Sequence, residues 1–377
     1  MEIYLDNAAT TKIKDEVFEA MEPYLKENYG NASSIYSLGK ISRNIVEESR
    51  DKVAEILGSK PEEIFFTSSG SEADNWAIKG RAFYMIDKNK HLITSPIEHK
   101  AVLESMKYLK KFGFKIDYVK VDKEGFVDLD HLKDLIKEDT SLVSIMYANN
   151  EIGTIEPIKK ISNILKNKNI AFHVDGVQAL PGIEFNLKDL DVDLFSISSH
   201  KIGGPKGIGA LYKKSGMKID NLIHGGGQER SKRAGTENVA YIVGFVKALE
   251  ILDREKSKNI KRVKGMRDYF LDKLLKLNGV YLNGPIENRL PGNINISIDN
   301  IDSQFLLILL DKYTIFASSG SACNAGSIAP SHVLKAIGRS DELAKNCLRI
   351  TIGENNNMNE IIQGSDIIVD TINSLRG

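Results

Sequence analysis

The chain has 377 residues, more than one small core needs and suited to two packed domains of ~100–200 residues each. Its 42% hydrophobic and 27% charged residues are the balance of an ordinary globular protein, and 51 Lys+Arg cancel 51 Asp+Glu, which argues against a nucleic-acid or anionic-membrane role. Two cysteines are too few for a disulfide framework, so a cytoplasmic setting is expected.

The opening stretch, MEIYLDNAATT, has neither the basic start nor the apolar run of a signal peptide. Ile41, Ile45, Val46, Val53, Ile56 and Leu57 recur at helical spacing, and Gly58 supplies a stop. Ile64–Thr67 (IFFT) reads as a buried strand, followed by SSGSEADN and a helix-compatible stretch. Further strand-like runs follow at 91–95, 116–121, 141–147, 171–174, 194–198 and 209–212, several of them separated by segments of helix length. Strands alternating with helices predict an α/β large domain over 14–255, a mainly parallel sheet flanked by helices. After about 255 the texture changes. The lysine-rich Lys256–Arg267 reads as a solvated helix face, and a strand follows at 293–298. A helix is expected around 304–311, within which Phe305–Leu310 is the longest apolar run, far short of the ~20 residues that cross a bilayer. A Ser/Gly-rich loop at 318–327, a strand at 347–352 and a terminal helix from about 359 complete the pattern. Residues 1–13 and 256–377 are thus expected to form a smaller α+β domain.

Three motifs carry chemistry. Ser198-Ser199-His200-Lys201 places a lysine just past a buried strand, entering a glycine-rich turn, where desolvation lowers an amine's pKa and lets it form an imine with a carbonyl cofactor. His173-Val174-Asp175-Gly176-Val177-Gln178 places a carboxylate at the C-terminal end of a strand, the end where open α/β sheets bind ligands. Pyridoxal phosphate needs such a carboxylate opposite its ring nitrogen, because an ion-paired pyridinium is the better electron sink. Gly70 and Ser71, between a strand and a helix, offer backbone N–H groups at a helix N-terminus, which suits a phosphate. Taken alone, the motif reads first as plain N-capping, Ser71 followed by acidic first-turn residues within Glu72–Asp74.

In this order the motifs resemble the class V aminotransferase superfamily, and within it the NifS/IscS-type cysteine desulfurases. The resemblance runs from Tyr4 to Gly353 and includes GNASS (30–34), EHKAV (98–102), NNEIG (149–153), HGGGQE (224–229), RAGTEN (233–238) and SSGSAC (318–323). It implies a pyridoxal 5'-phosphate enzyme of the type I aminotransferase fold, with no metal. Lys201 would carry the cofactor and Asp175 would pair with its ring nitrogen. His99 would stack on the ring and relay protons, and Gln178 would bond the phenolic oxygen. Gly70, Ser71, Ser198 and His200 would hold the phosphate, joined by Thr236 of a second subunit in a homodimer. Asn150 and Arg349 would bind the substrate carboxylate, Arg349 through its planar fork. Cys323, in a run of small residues expected to be exposed and mobile, would take the sulfur of L-cysteine as a persulfide, leaving alanine. Cys347, before the apolar end of a strand, reads as an inert small hydrophobe. The implied partners are L-cysteine and a sulfur-acceptor protein, an iron–sulfur scaffold or a tRNA-thiolation protein. A selenocysteine lyase or another class V lyase is the alternative. Ala32 and Tyr36 stand where the family pattern usually has proline and histidine, and Ser231 stands where a glycine is common.

Overall fold

A computed structural model describes residues 2–319 and 329–376. The strands in chain order are β1 (Ile3–Tyr4), β2 (Ile64–Thr67), β3 (His91–Thr94), β4 (Lys115–Tyr118), β5 (Thr140–Ser144), β6 (Ala171–Asp175), β7 (Leu194–Ser198), β8 (Gly209–Lys213), β9 (Val280–Leu282), β10 (Asn293–Ile298), β11 (Ile315–Phe316) and β12 (Cys347–Thr351). Seven of them form one sheet in the order β2-β8-β7-β6-β5-β3-β4. The pairs from β7 through β6, β5 and β3 to β4 are parallel, and β8 runs antiparallel to both β7 and β2. This is the mainly parallel, helix-flanked sheet that the sequence predicts. Every residue of β2, β3, β5, β6 and β7 is buried, as strands covered on both faces must be.

A second, smaller sheet has the order β12-β10-β9 with antiparallel pairing, and β1 pairs in parallel with β11. The apolar residues of this part, among them Ile294, Ile296, Leu348, Ile350 and Phe270, form a core separate from that of the large sheet. The helix Val239–Leu275 belongs to both: Val239 to Leu252 pack in the larger core and Val263 to Leu274 in the smaller. Residue 255 falls inside this helix. The Lys256–Arg267 stretch departs from the expected solvated face. Arg267 is buried, and Lys256 lies 5.0 Å from the Phe185 ring centroid with its pKa lowered to about 8 by desolvation. Among the described residues no helix is long and apolar enough to cross a membrane.

Candidate active site

Parallel pairing brings the C-terminal ends of β3, β5, β6 and β7 to one edge. Asp175 is the last residue of β6, and its Cα pairs with Ser196 of β7. It is buried, and its Oδ1 accepts the Val177 N–H at 3.0 Å. Asp74, on the helix Gly70–Tyr84, is buried against it. Ligand atoms of Asp74, His99 and Asp175 all lie within 4.8 Å of one another, a spacing that suits a buried cation, organic or metallic. Burial pushes both carboxyls up to about 6, and for Asp175 the neighbouring Asp74 charge adds to the effect. His99 caps the helix Lys100–Leu109, and its Nδ1 accepts the Ala101 N–H at 3.2 Å, so the proton of the neutral ring sits on Nε2.

Lys201 ends a short 3₁₀ turn, Ser199–Lys201, directly after β7. Its Nζ donates to the carbonyls of Ala8 at 2.6 Å and Ala9 at 2.8 Å, and Gln178 Nε2 donates to the same Ala8 oxygen at 2.9 Å. The N-terminal segment therefore ties the lysine to the strand that carries Asp175. Ala8, Gln178 and Lys201, with Pro181, Leu252, Leu290 and Ile352, line a cavity of about 110 Å³ between the two cores. His200 Nδ1 lies 3.1 Å from Thr10 Oγ1, and burial lowers its pKa to about 4, so its ring is neutral near pH 7.

The turn between β2 and the following helix differs in detail from the sequence reading. Ser69, not Ser71, is the N-cap, accepting the Glu72 N–H at 3.1 Å, while Ser71 is exposed in the first turn. Ser69 is the residue whose side chain reaches back to satisfy an orphan donor. Asp74 is no first-turn acid but a core residue. A Cβ at Gly70 would come within 2.7 Å of Val177 Cγ2 and 3.4 Å of Ser198 Cβ, so only glycine lets the helix start sit so close to the ends of β6 and β7.

Arg349, on β12, is 3% exposed. Its Nη2 pairs with Asp6 Oδ1 at 2.8 Å, its Nη1 donates to the Asn150 carbonyl at 3.3 Å, and among the described residues its buried Nε has no partner. Glu151 lies behind it, accepting the Ser331 hydroxyl at 2.6 Å, with its pKa pushed up to about 7 by burial. Thr236 is exposed on the single chain. The loop leading to it is pinned twice. Arg50 grips Glu229 through two buried hydrogen bonds of 2.8 and 2.9 Å, and Arg233 grips Glu72 at 2.7 and 2.9 Å. Between the two clamps Glu229, Arg230 and Ser231 all have left-handed backbone, with φ of 45°, 56° and 62°.

Residues 3–363 match the family described as aminotransferase class-V. The chain belongs to that family. It is similar to a cysteine desulfurase IscS of Dictyoglomus turgidum, 51% identical over 100% of this chain and 95% of that one. It is also similar to a cysteine desulfurase IscS of Methanosarcina thermophila, at 47% over 99% and 93%. A solved structure titled NifS-like protein superimposes with a TM-score of 0.94 at 42% identity, covering 99% of this chain and 100% of that one.

Within this class V aminotransferase, Asp175 and His99 share one buried cluster, and Lys201 and Gln178 meet at the Ala8 carbonyl. Asn150 reaches Arg349 through its backbone carbonyl. Cys323 lies outside the described residues. Cys347 is buried among Ile97, Met146, Ile152 and Leu334, with its Sγ 3.7 Å from the Ala344 carbonyl, in keeping with the packing role expected of it. Sequence reasoning missed Asp6, Glu98 and Glu151, and it misassigned Asp74. The only available signal for Asp74 was its position four residues after Gly70, which puts both on one face of the helix.

Proposed function

We propose that the chain is a cysteine desulfurase that converts L-cysteine to L-alanine and carries the sulfur away as a persulfide on Cys323. The observation that carries this reading is the placement of Lys201 and Asp175 at the same edge of the adjacent parallel strands β7 and β6. The class V family is generally pyridoxal-phosphate dependent, and the residues present fit that group. The Gly70 turn leaves a helix N-terminus open beside Ser198, and a Cβ there would crowd both Ser198 and Val177. Among the described residues the buried carboxylates Asp74 and Asp175 form no ion pair with a lysine or arginine, which leaves room for a ring cation.

Lys201 would hold the cofactor aldehyde, Asp175 its ring nitrogen, Gln178 its phenolic oxygen, and Gly70, Ser71, Ser198 and His200 its phosphate, completed by Thr236 of a second copy. When bound, pyridoxal phosphate supplies the electron sink that loosens the substrate's α-proton and its Cβ–S bond. Arg349, whose buried Nε lacks a partner among the described residues, would hold the substrate carboxylate beside Asn150. His99, whose Nδ1 is taken up by the Ala101 N–H, would offer Nε2 for proton relay, and the Lys201 amine at the end of β7 would serve as a base beside it. The Cys323 thiolate would then attack the substrate sulfur. A new S–S bond forms, the Cβ–S bond breaks with its electron pair left on carbon, and protonation there gives alanine. A protein that supplies an acceptor thiol, for iron–sulfur cluster assembly or thiolation, would take the sulfur onward.

The direct test is to incubate purified protein with L-cysteine and a reductant and to measure alanine and sulfide together. Equal amounts are expected, with borohydride reduction fixing the cofactor on Lys201. Protein that binds no pyridoxal phosphate, or forms alanine without sulfide, would overturn the proposal. The composite phosphate site requires a homodimer stabilised by cofactor through mass action, so sedimentation of holo and apo protein over a dilution series should show the apo form dissociating first.

A further inference from the structure

We propose that Asp74 is a second carboxylate of the ring-nitrogen site, a positioning residue that acts on the cofactor through Asp175. This rests on the reading of Asp175 as the partner of the ring nitrogen. The helix Gly70–Tyr84 starts beside Val177 and Ser198, and one turn further along the same face it delivers Asp74 into the cluster with Asp175 and His99.

Among the described residues Asp74 has no lysine or arginine counter-ion. It is faced from β6 by His173, whose Nε2 lies 3.5 Å away, from β7 by the Ser196 hydroxyl, and from the start of the helix Lys100–Leu109 by His99. His173 is fully buried between the Ser144 and Ser196 hydroxyls, at 2.8 and 3.0 Å, and desolvation lowers its pKa to about 4, so it is neutral at working pH. Asp175 is faced by the same groups and by Glu98, another buried acid. One oxygen of Asp74, Oδ1, is buried and has no hydrogen-bond partner among the described residues. A core aspartate in so dry a place is costly unless something positive arrives. With both carboxyls pushed up to about 6, Asp74 makes Asp175 the more basic acceptor and the pocket the better host for a protonated ring.

The test compares full-length wild type, Asp74→Asn and Asp175→Asn. Carbon-13 carboxyl NMR of the apo protein reads the midpoint of Asp175, and fluorescence titration reads the pyridoxal-phosphate Kd at pH 8. Asp74→Asn should lower the Asp175 midpoint by about one pH unit and weaken cofactor binding roughly tenfold, with no change in circular dichroism. Because a core substitution can disturb folding, Ser196→Ala provides a second route: it removes the hydrogen bond that favours ionised Asp74, and it should shift the Asp175 midpoint in the same direction by less. A folded Asp74→Asn protein with both readouts unchanged overturns the inference, and so does tight one-to-one zinc binding by the apo protein that Asp74→Asn abolishes. Unchanged cofactor affinity in Asp175→Asn would instead sink the ring-nitrogen reading itself, so the two failures are distinguishable.

Discussion

Replacing Arg349 by lysine tests how the substrate is held. The guanidinium spends Nη2 on Asp6 at 2.8 Å and a weak contact from Nη1 on the Asn150 carbonyl at 3.3 Å, and its buried Nε–H has no partner among the described residues. A substrate carboxylate can take that donor. Lysine keeps the charge and can still pair with Asp6, but it offers a point charge in place of a planar fork. The loss is then one charge-assisted hydrogen bond, about 1.5–3 kcal/mol, or about 10- to 150-fold in kcat/KM for L-cysteine. Because the carboxylate is present in ground and transition states alike, the effect should fall on KM with kcat nearly unchanged. Initial rates of alanine formation across a cysteine concentration series, with circular dichroism to confirm folding, measure both constants. A kcat/KM within twofold of wild type, or a fall in kcat at constant KM, would refute the assignment.

The two cysteines should separate cleanly: Cys323→Ala should keep the cofactor but release almost no sulfide, while Cys347→Ala should stay active and lose only about 1 kcal/mol of stability from the vacated space. Glu229→Gln leaves the buried Arg50 guanidinium with only the half-exposed Glu47 at 3.3 Å as counter-charge, and thermal denaturation should show a loss of up to about 3 kcal/mol. Ser231→Gly places the residue that left-handed backbone favours at φ 62°, and a stability gain of up to about 1 kcal/mol is expected in the same assay. Glu156 is buried with its pKa pushed up from 4.5 to about 8 by desolvation, so the folded state holds its proton more tightly than the unfolded chain does. That stability is fully present below pH 4.5 and is lost as pH rises towards 8. The melting temperature of Glu156→Gln should therefore fall less than that of wild type between pH 5 and pH 8.

The elements were legible wherever local pattern decided them. IFFT, AFHV and LFSIS are apolar enough to be read as buried strands, and all three are; the first long helix begins at Ser37, four residues before its periodicity becomes visible at Ile41. Lys201 and Asp175 were legible because each follows or ends such a strand. Asp74 was not, because its burial depends on which strands lie opposite its helix. The left-handed run at 229–231 was equally hidden, since none of its three residues is a glycine and the clamp that holds it comes from Arg50, 179 positions away from Glu229.

Strand order supplies what local pattern lacks. In β6 the period of two puts His173 and Asp175 on one face, and in β7 it does the same for Ser196 and Ser198. The register pairs Ser144 with His173 and Asp175 with Ser196, so three neighbouring strands place a row of polar side chains side by side beneath one helix. Each of these residues is unremarkable on its own strand. Side by side they hold His173 neutral and press two carboxylates together, and the site's appetite for a cation arises from the pairing of the strands, not from any single motif.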